Sequence, residues 1–150
     1  MRTWLILFGL VLTITLTVDH AWARKELSLE ELKARVPNAK PDERTNLCIQ
    51  IAERQVEAAD KLYTEGKTEE AEAAIHDVVS YSQQANEAAG QTGHRLKNTE
   101  IAMRKMSHRL NDIKRTLPYD NQALLQSAID TLDKIRTDLL SRMFAKNPKK

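Results

Sequence analysis

One apolar stripe holds its phase from Ala71 to Leu117, through Ile75, Val78, Ser82, Ala85, Ala89, Thr92, Leu96, Thr99, Met103, Met106, Leu110 and Ile113. Its steps alternate between four and three residues, the spacing that keeps one side of a helix turned toward a partner helix. A chain carrying such a stripe folds as an all-α protein, and its core is a helix–helix interface. The stripe dictates packing and leaves chemistry open.

The stripe crosses Gly90-Gln91-Thr92-Gly93, and two readings compete there. Locally the segment is a turn, with Gly90 as a C-cap and Thr92 as a new N-cap. Globally the pattern passes through in register with both glycines off the stripe. A hairpin has no need to preserve that register, whereas a continuous helix must. Two glycines inside a helix cost about 2 kcal/mol relative to alanine, which interhelical packing can offset. The expectation is therefore one helix from Thr68 to about Leu117, roughly 75 Å long at 1.5 Å per residue. The alternative is a compact four-helix bundle broken at Gly90–Gly93.

Helix boundaries elsewhere are marked by caps and breakers. Ser28-Leu29-Glu30-Glu31 has the spacing of a capping box, opening a short helix that Pro37 stops. Asn38 to Lys40 reads as a linker. Pro41 suits a first helical position, followed by Asp42 and Glu43 on the favourable side of the helix dipole. That helix runs over about 41–65 on an apolar face including Leu47, Cys48, Ile51, Ala52, Ala58, Ala59 and Leu62. Gly66 ends it in a left-handed conformation, and Thr68 is read as the N-cap of the next. Pro118 terminates the long helix over about 68–117. Asp120 is read as the cap of a last helix over about 120–145, with Leu125, Ala128, Leu132, Ile135, Leu139 and Met143 on its buried face. The expected organisation is a short helix and linker over 24–40, a helical domain over 41–146 forming an elongated antiparallel bundle, and a basic tail over 147–150.

The segment Gly66-Lys67-Thr68-Glu69-Glu70-Ala71, followed by Ile75 and Val78, resembles the turn and second helix of a tetratricopeptide repeat. That family builds peptide-binding solenoids from stacked helix pairs. The resemblance covers barely one repeat. The preceding helix lacks the family's Leu-Gly pair, and no second copy follows at the family's period. What it implies is protein interaction, without residue roles to carry over. The chain as a whole looks like exported all-helical bacterial proteins of unassigned function.

The first residues read as an address. Arg2 precedes an apolar run from Trp4 to Val18, and Ala21-Trp22-Ala23 supplies the small-x-small pattern of a cleavable signal peptide over 1–23, cut before Arg24. The run is shorter than the roughly 20 residues a membrane span needs, and no cysteine stands directly after the cut to carry a lipid. The expectation is an exported protein, periplasmic or secreted. Cleavage removes both tryptophans and Phe8, leaving Tyr63, Tyr81, Tyr119 and Phe144 as the aromatics of the mature chain. Aromatic rings usually supply large buried areas in cores and pockets, so this core is built from aliphatic side chains and alanine, with no roomy ligand pocket expected. Cys48, the sole cysteine, has no intramolecular partner; it reads as a small buried hydrophobe, an intermolecular disulfide being the alternative.

No nucleophile–base arrangement is visible, and an enzyme is not expected. Glu72 and His76 share a helix face at four-residue spacing, but the doubled Glu-x-x-His set of a di-metal bundle is missing. Met103, Met106 and His108 invite comparison with haem bundles. No C-x-x-C-H motif accompanies them, and both methionines fall on the stripe as core fillers. His94 completes the mature chain's histidines. No catalytic, cofactor or metal residue is assigned, and no cofactor is expected.

Charge is segregated along the chain. Asp42 to Gly90 carries 11 acidic and 4 basic residues, net −7, while His94 to Leu117 carries 2 acidic and 7 basic, net +5. On a straight rod these are opposite poles, favouring salt-sensitive homo-oligomers in antiparallel or staggered register, or contact with an anionic envelope surface. In a compact bundle they lie side by side and neutralise each other. Nucleic acid is not expected of an exported chain with so few aromatics to stack on bases. The functional expectation is an exported, non-enzymatic helical protein-interaction module, a scaffold or chaperone-like binder for an unknown protein partner. The alternative is a metal- or haem-binding four-helix bundle.

Overall fold

The computed structural model describes residues 27–145, so the signal-peptide reading and the basic tail at 147–150 lie outside the described residues. The described chain is five α-helices: α1 Leu29–Arg35, α2 Pro41–Thr64, α3 Thr68–Thr92, α4 Leu96–Thr116 and α5 Gln122–Ala145. The fold is all-α, as the stripe requires. None of these helices is long and apolar enough to cross a membrane.

The expected single helix over 68–117 is corrected to two. Gly93 adopts φ +67°, a left-handed C-cap whose N–H returns to the Ala89 carbonyl. Arg95 follows at φ +58° as the N-cap of α4. Two left-handed residues within three positions reverse the chain, and the second is strained for a residue with a Cβ. Side chains hold the turn in place. The Thr92 hydroxyl donates to Asp42 Oδ1 at 2.8 Å and accepts from the His94 N–H at 3.2 Å, while His94 Nδ1 lies 3.1 Å from Asp42 Oδ2. The terminating glycine is thus Gly93; Gly90, the C-cap of the local reading, remains inside α3, and Thr92 is its last residue. The stripe keeps phase because residues 93–95 occupy about one turn's worth of sequence. A linker of that length changes helix direction without shifting the pattern.

Burial follows the stripe closely. From Ala71 to Ile113 every stripe residue except Thr92 is buried, and Leu117 is half-buried. The aliphatic cluster continues through Ile51 and Ala52 of α2 and Leu125, Leu132 and Leu139 of α5.

Cross-helix contacts give the topology. Gln55 to Asp77 and Asp42 to Thr92 set α2 and α3 antiparallel. Glu100 with Arg136, Ser107 with Asp133 and Lys114 with Gln126 do the same for α4 and α5. The two hairpins then pack side by side. Asp42 at the start of α2 meets the turn preceding α4, and Asp60 near its end meets Arg109, so α2 and α4 run parallel. Asn86 with Asp138, and Gly90 beneath Arg142, make α3 and α5 parallel. The bundle is compact and four-helical, and the acidic and basic stretches are neighbours rather than poles of a rod.

The segment read as short helix and linker is docked on the bundle. The Ser28–Glu31 capping box forms in both directions, and Leu32 is buried. Lys33 Nζ donates to Asp77 Oδ2 at 2.8 Å, where Gln55 Nε2 also donates at 2.6 Å. Arg44 donates to the carbonyl of Ala39 at 3.1 Å, fixing the connection to α2. Two cap assignments are corrected. Lys67, not Thr68, is the N-cap of α3, with no side-chain cap bond. Asp120 lies in a 3₁₀ turn over Tyr119–Asn121, and α5 starts two residues later. In both places the tight turn itself brings the chain into the helix, so a hydroxyl or carboxylate cap is not needed.

Candidate interaction groove between α2 and α4

Packing is extensive within each hairpin and much thinner between α2 and α4. The thin seam opens into a surface groove of about 500 Å³ lined by Glu53, Val56 and Glu57 of α2 and Lys105, Met106 and Arg109 of α4. Helical spacing explains the arrangement. Val56 and Met106 belong to the buried faces and form an apolar floor, while residues three or one positions away stand on the rims. Because α2 comes from the acidic stretch and α4 from the basic one, the rims carry opposite charge.

Neutralisation across the groove is partial. Asp60 and Arg109 form an ion pair at 2.5 Å. Glu53, Glu57 and Lys105 are exposed and stand beyond ion-pair distance of one another. Crowding in the groove pushes the Glu53 carboxyl above the usual carboxylate range; Lys105 opposite pulls it down, and Glu57 one turn on pushes it up. Glu53 is thus partly desolvated at its carboxyl although the residue as a whole is exposed. An unpaired, partly desolvated charge gains more from a counter-charge than a solvated one does.

A second concavity, of about 510 Å³, lies at the Pro118 turn, lined by Lys114, Tyr119, Asp120, Gln122, Ala123 and Gln126. Lys114 is engaged there with Gln126 Oε1 at 2.5 Å. Tyr119 at 87% and Phe144 at 74% are the exposed large hydrophobic residues among those described. They belong to the start and the end of the α5 segment and form no common patch.

The residues weighed from sequence are placed apart. Met103 and Met106 are core, whereas His108 is exposed on another face of α4. His76 is exposed on α3 and makes no hydrogen bond with Glu72; His94 serves the α3–α4 turn. Among the described residues no three of His, Cys, Asp and Glu gather as a metal set. Cys48 is fully buried, and burial pushes its thiol up to about 11. Apart from Met106, a stripe residue, the groove residues were not individually visible in the sequence. Charge segregation was the signal for them, but which acids face which bases depends on the turn at Gly93.

Comparison with protein-family models, curated proteins and solved structures gives no match.

Proposed function

We propose that the chain acts after export as a non-enzymatic helical interaction module, a scaffold or chaperone-like binder, and that the α2–α4 groove is its contact surface. The observation that carries this reading is the pair of oppositely charged rims held apart over an apolar floor. Such a surface offers a partner counter-charges for Glu53, Glu57 and Lys105, while Val56 and Met106, each only 3% exposed, add little further apolar burial. Charges of this kind set orientation and encounter rate more than affinity.

The test is photocrosslinking from a probe placed at Gln50, beside the groove, in the native cell envelope, with Glu53→Lys/Glu57→Lys as the control. Protein adducts that are lost on reversal of the acidic rim are the expected result. Adducts indifferent to the reversal, or stoichiometric haem or metal in protein purified from the exported fraction, would overturn it. Export itself is tested by intact mass, which should correspond to a chain beginning at Arg24 and lacking tryptophan.

A further inference from the structure

The two rims have a symmetry property. Acid on α2 and base on α4 lie at the same height along parallel helices, as Asp60 with Arg109 shows. A two-fold axis running along the groove, parallel to the helices, preserves height and exchanges the rims. It lays α2 of one copy on α4 of another, setting Glu53 and Glu57 against Lys105 and Arg109 twice over. A two-fold axis across the helices instead lays α2 on α2 and opposes the glutamates. Only the first arrangement makes the face complementary to itself, as an isologous contact requires.

We propose that the α2–α4 face is a docking surface for a second copy of this chain, lying parallel, with Glu53 and Glu57 of each copy against Lys105 and Arg109 of the other. This rests on the interaction-module reading and names the partner. Its size is consistent with a real but weak contact. Helices of 24 and 21 residues are roughly 36 and 32 Å long, and two side by side are about 20 Å wide. The face offers somewhat under 700 Å² per copy, just below the roughly 800 Å² of a standard stable interface. The exposed surface of α2 above the groove is polar, with Gln50 beside the glutamates, so apolar burial adds little and the rim charges fix the register of a weak contact. This revises the association expected for a rod: the copies pair parallel and in register, not antiparallel or staggered.

Sedimentation velocity over a concentration series, at about 0.02 M and about 0.5 M salt, tests the proposal, since exposed charges are screened within a few ångströms at the higher value. Four rim pairs of ordinary exposed strength, the two at Arg109 shared with Asp60 of the same chain, together correspond to at most roughly a tenfold weaker dimer at high salt. Glu53→Lys/Glu57→Lys should be monomeric throughout. Adding Lys105→Glu/Arg109→Glu to it exchanges the rims and should restore the dimer; circular dichroism confirms that each variant is folded. Geometry is read from oxidation of mixed chains in which Cys48 is replaced by alanine, so that each carries one introduced cysteine. Gln50→Cys on one copy should bridge to Asn98→Cys on another, and neither should bridge to itself. A wild-type monomer at every salt and concentration overturns the proposal, and so does a dimer that survives the reversal or forms only like-with-like bridges. A monomer that still gives adducts to other proteins, lost on reversal of the acidic rim, overturns self-pairing while leaving the module reading in place.

Discussion

Replacing Gly90 and Gly93 separately by alanine should move stability in opposite directions, because the two glycines sit in different backbone conformations. Gly93 has φ +67°. A Cβ there costs roughly 1–2 kcal/mol, offset by about 0.4–1 kcal/mol from the stiffer unfolded chain, for a net loss near 1 kcal/mol. Gly90 is helical, and alanine in a helix interior gains about 1 kcal/mol over glycine. The added Cβ would lie 2.0 Å from Arg142 Nη1, so Arg142 must swing away. That gives up its 2.7 Å ion pair with Asp138, where both side chains are more than 40% exposed. Such a pair contributes about 0.3–0.5 kcal/mol, leaving Gly90→Ala more stable by roughly 0.5 kcal/mol. Urea unfolding followed by far-ultraviolet circular dichroism, at micromolar protein, resolves a gap near 1.5 kcal/mol. A helix running straight through both positions would gain about 1 kcal/mol at each. Equal stabilisation by the two substitutions would therefore refute the hairpin at Gly93.

Leu110 is fully buried, so Leu110→Ala should cost about 2–5 kcal/mol; exposed Gln91 should tolerate alanine within about 0.5 kcal/mol, and equal losses in chemical denaturation would contradict the burial pattern. Asp42 has its carboxyl held below the usual range, first by the Thr92 hydroxyl and then by His94. Its contribution is complete above the ordinary carboxylate value and lost as pH falls through the lowered one. Asp42→Asn should flatten the acid limb of a melting temperature–pH curve and speed amide exchange at residues 93–96. Buried Cys48, with its thiol raised to about 11, should react with a disulfide reagent at neutral pH only on unfolding; rapid modification of the native protein would show the core is open there.

Spacing within single helices was enough to read the all-α class, the capping box and most of the buried faces of the longer helices, although Val56 of α2, 3% exposed, was not among the residues read. Leu110, Met103 and Leu132 are core because periodicity puts them there. What spacing cannot report is helix direction. Residues 93–95 span one turn's worth of sequence, so a reversal and a straight helix write the same pattern. That ambiguity propagated to the groove, because Glu53 meets Lys105 only if the chain turns. The caps at Lys67 and before Gln122 were misread for a related reason: hydroxyl and carboxylate residues stood nearby, but the turns brought the chain into the helix without them.

The same coincidence of phase has a consequence for how two chains can become entangled. If residues 93–95 straightened into helix, the apolar stripe would remain on one face, and the opened molecule would present a single amphipathic rod rather than a disordered break. Two such molecules could exchange their α4–α5 hairpins and rebuild every inter-hairpin contact between chains, losing only the turn itself. The left-handed conformations of Gly93 and Arg95, held by Asp42, are then what keeps each chain closed upon itself. Gly93→Ala weakens that closure, so refolding this variant at high concentration should yield an exchanged dimer that does not dissociate on dilution or with salt. A Gly93→Ala protein that returns only as monomer would show that the turn is not the gate to exchange.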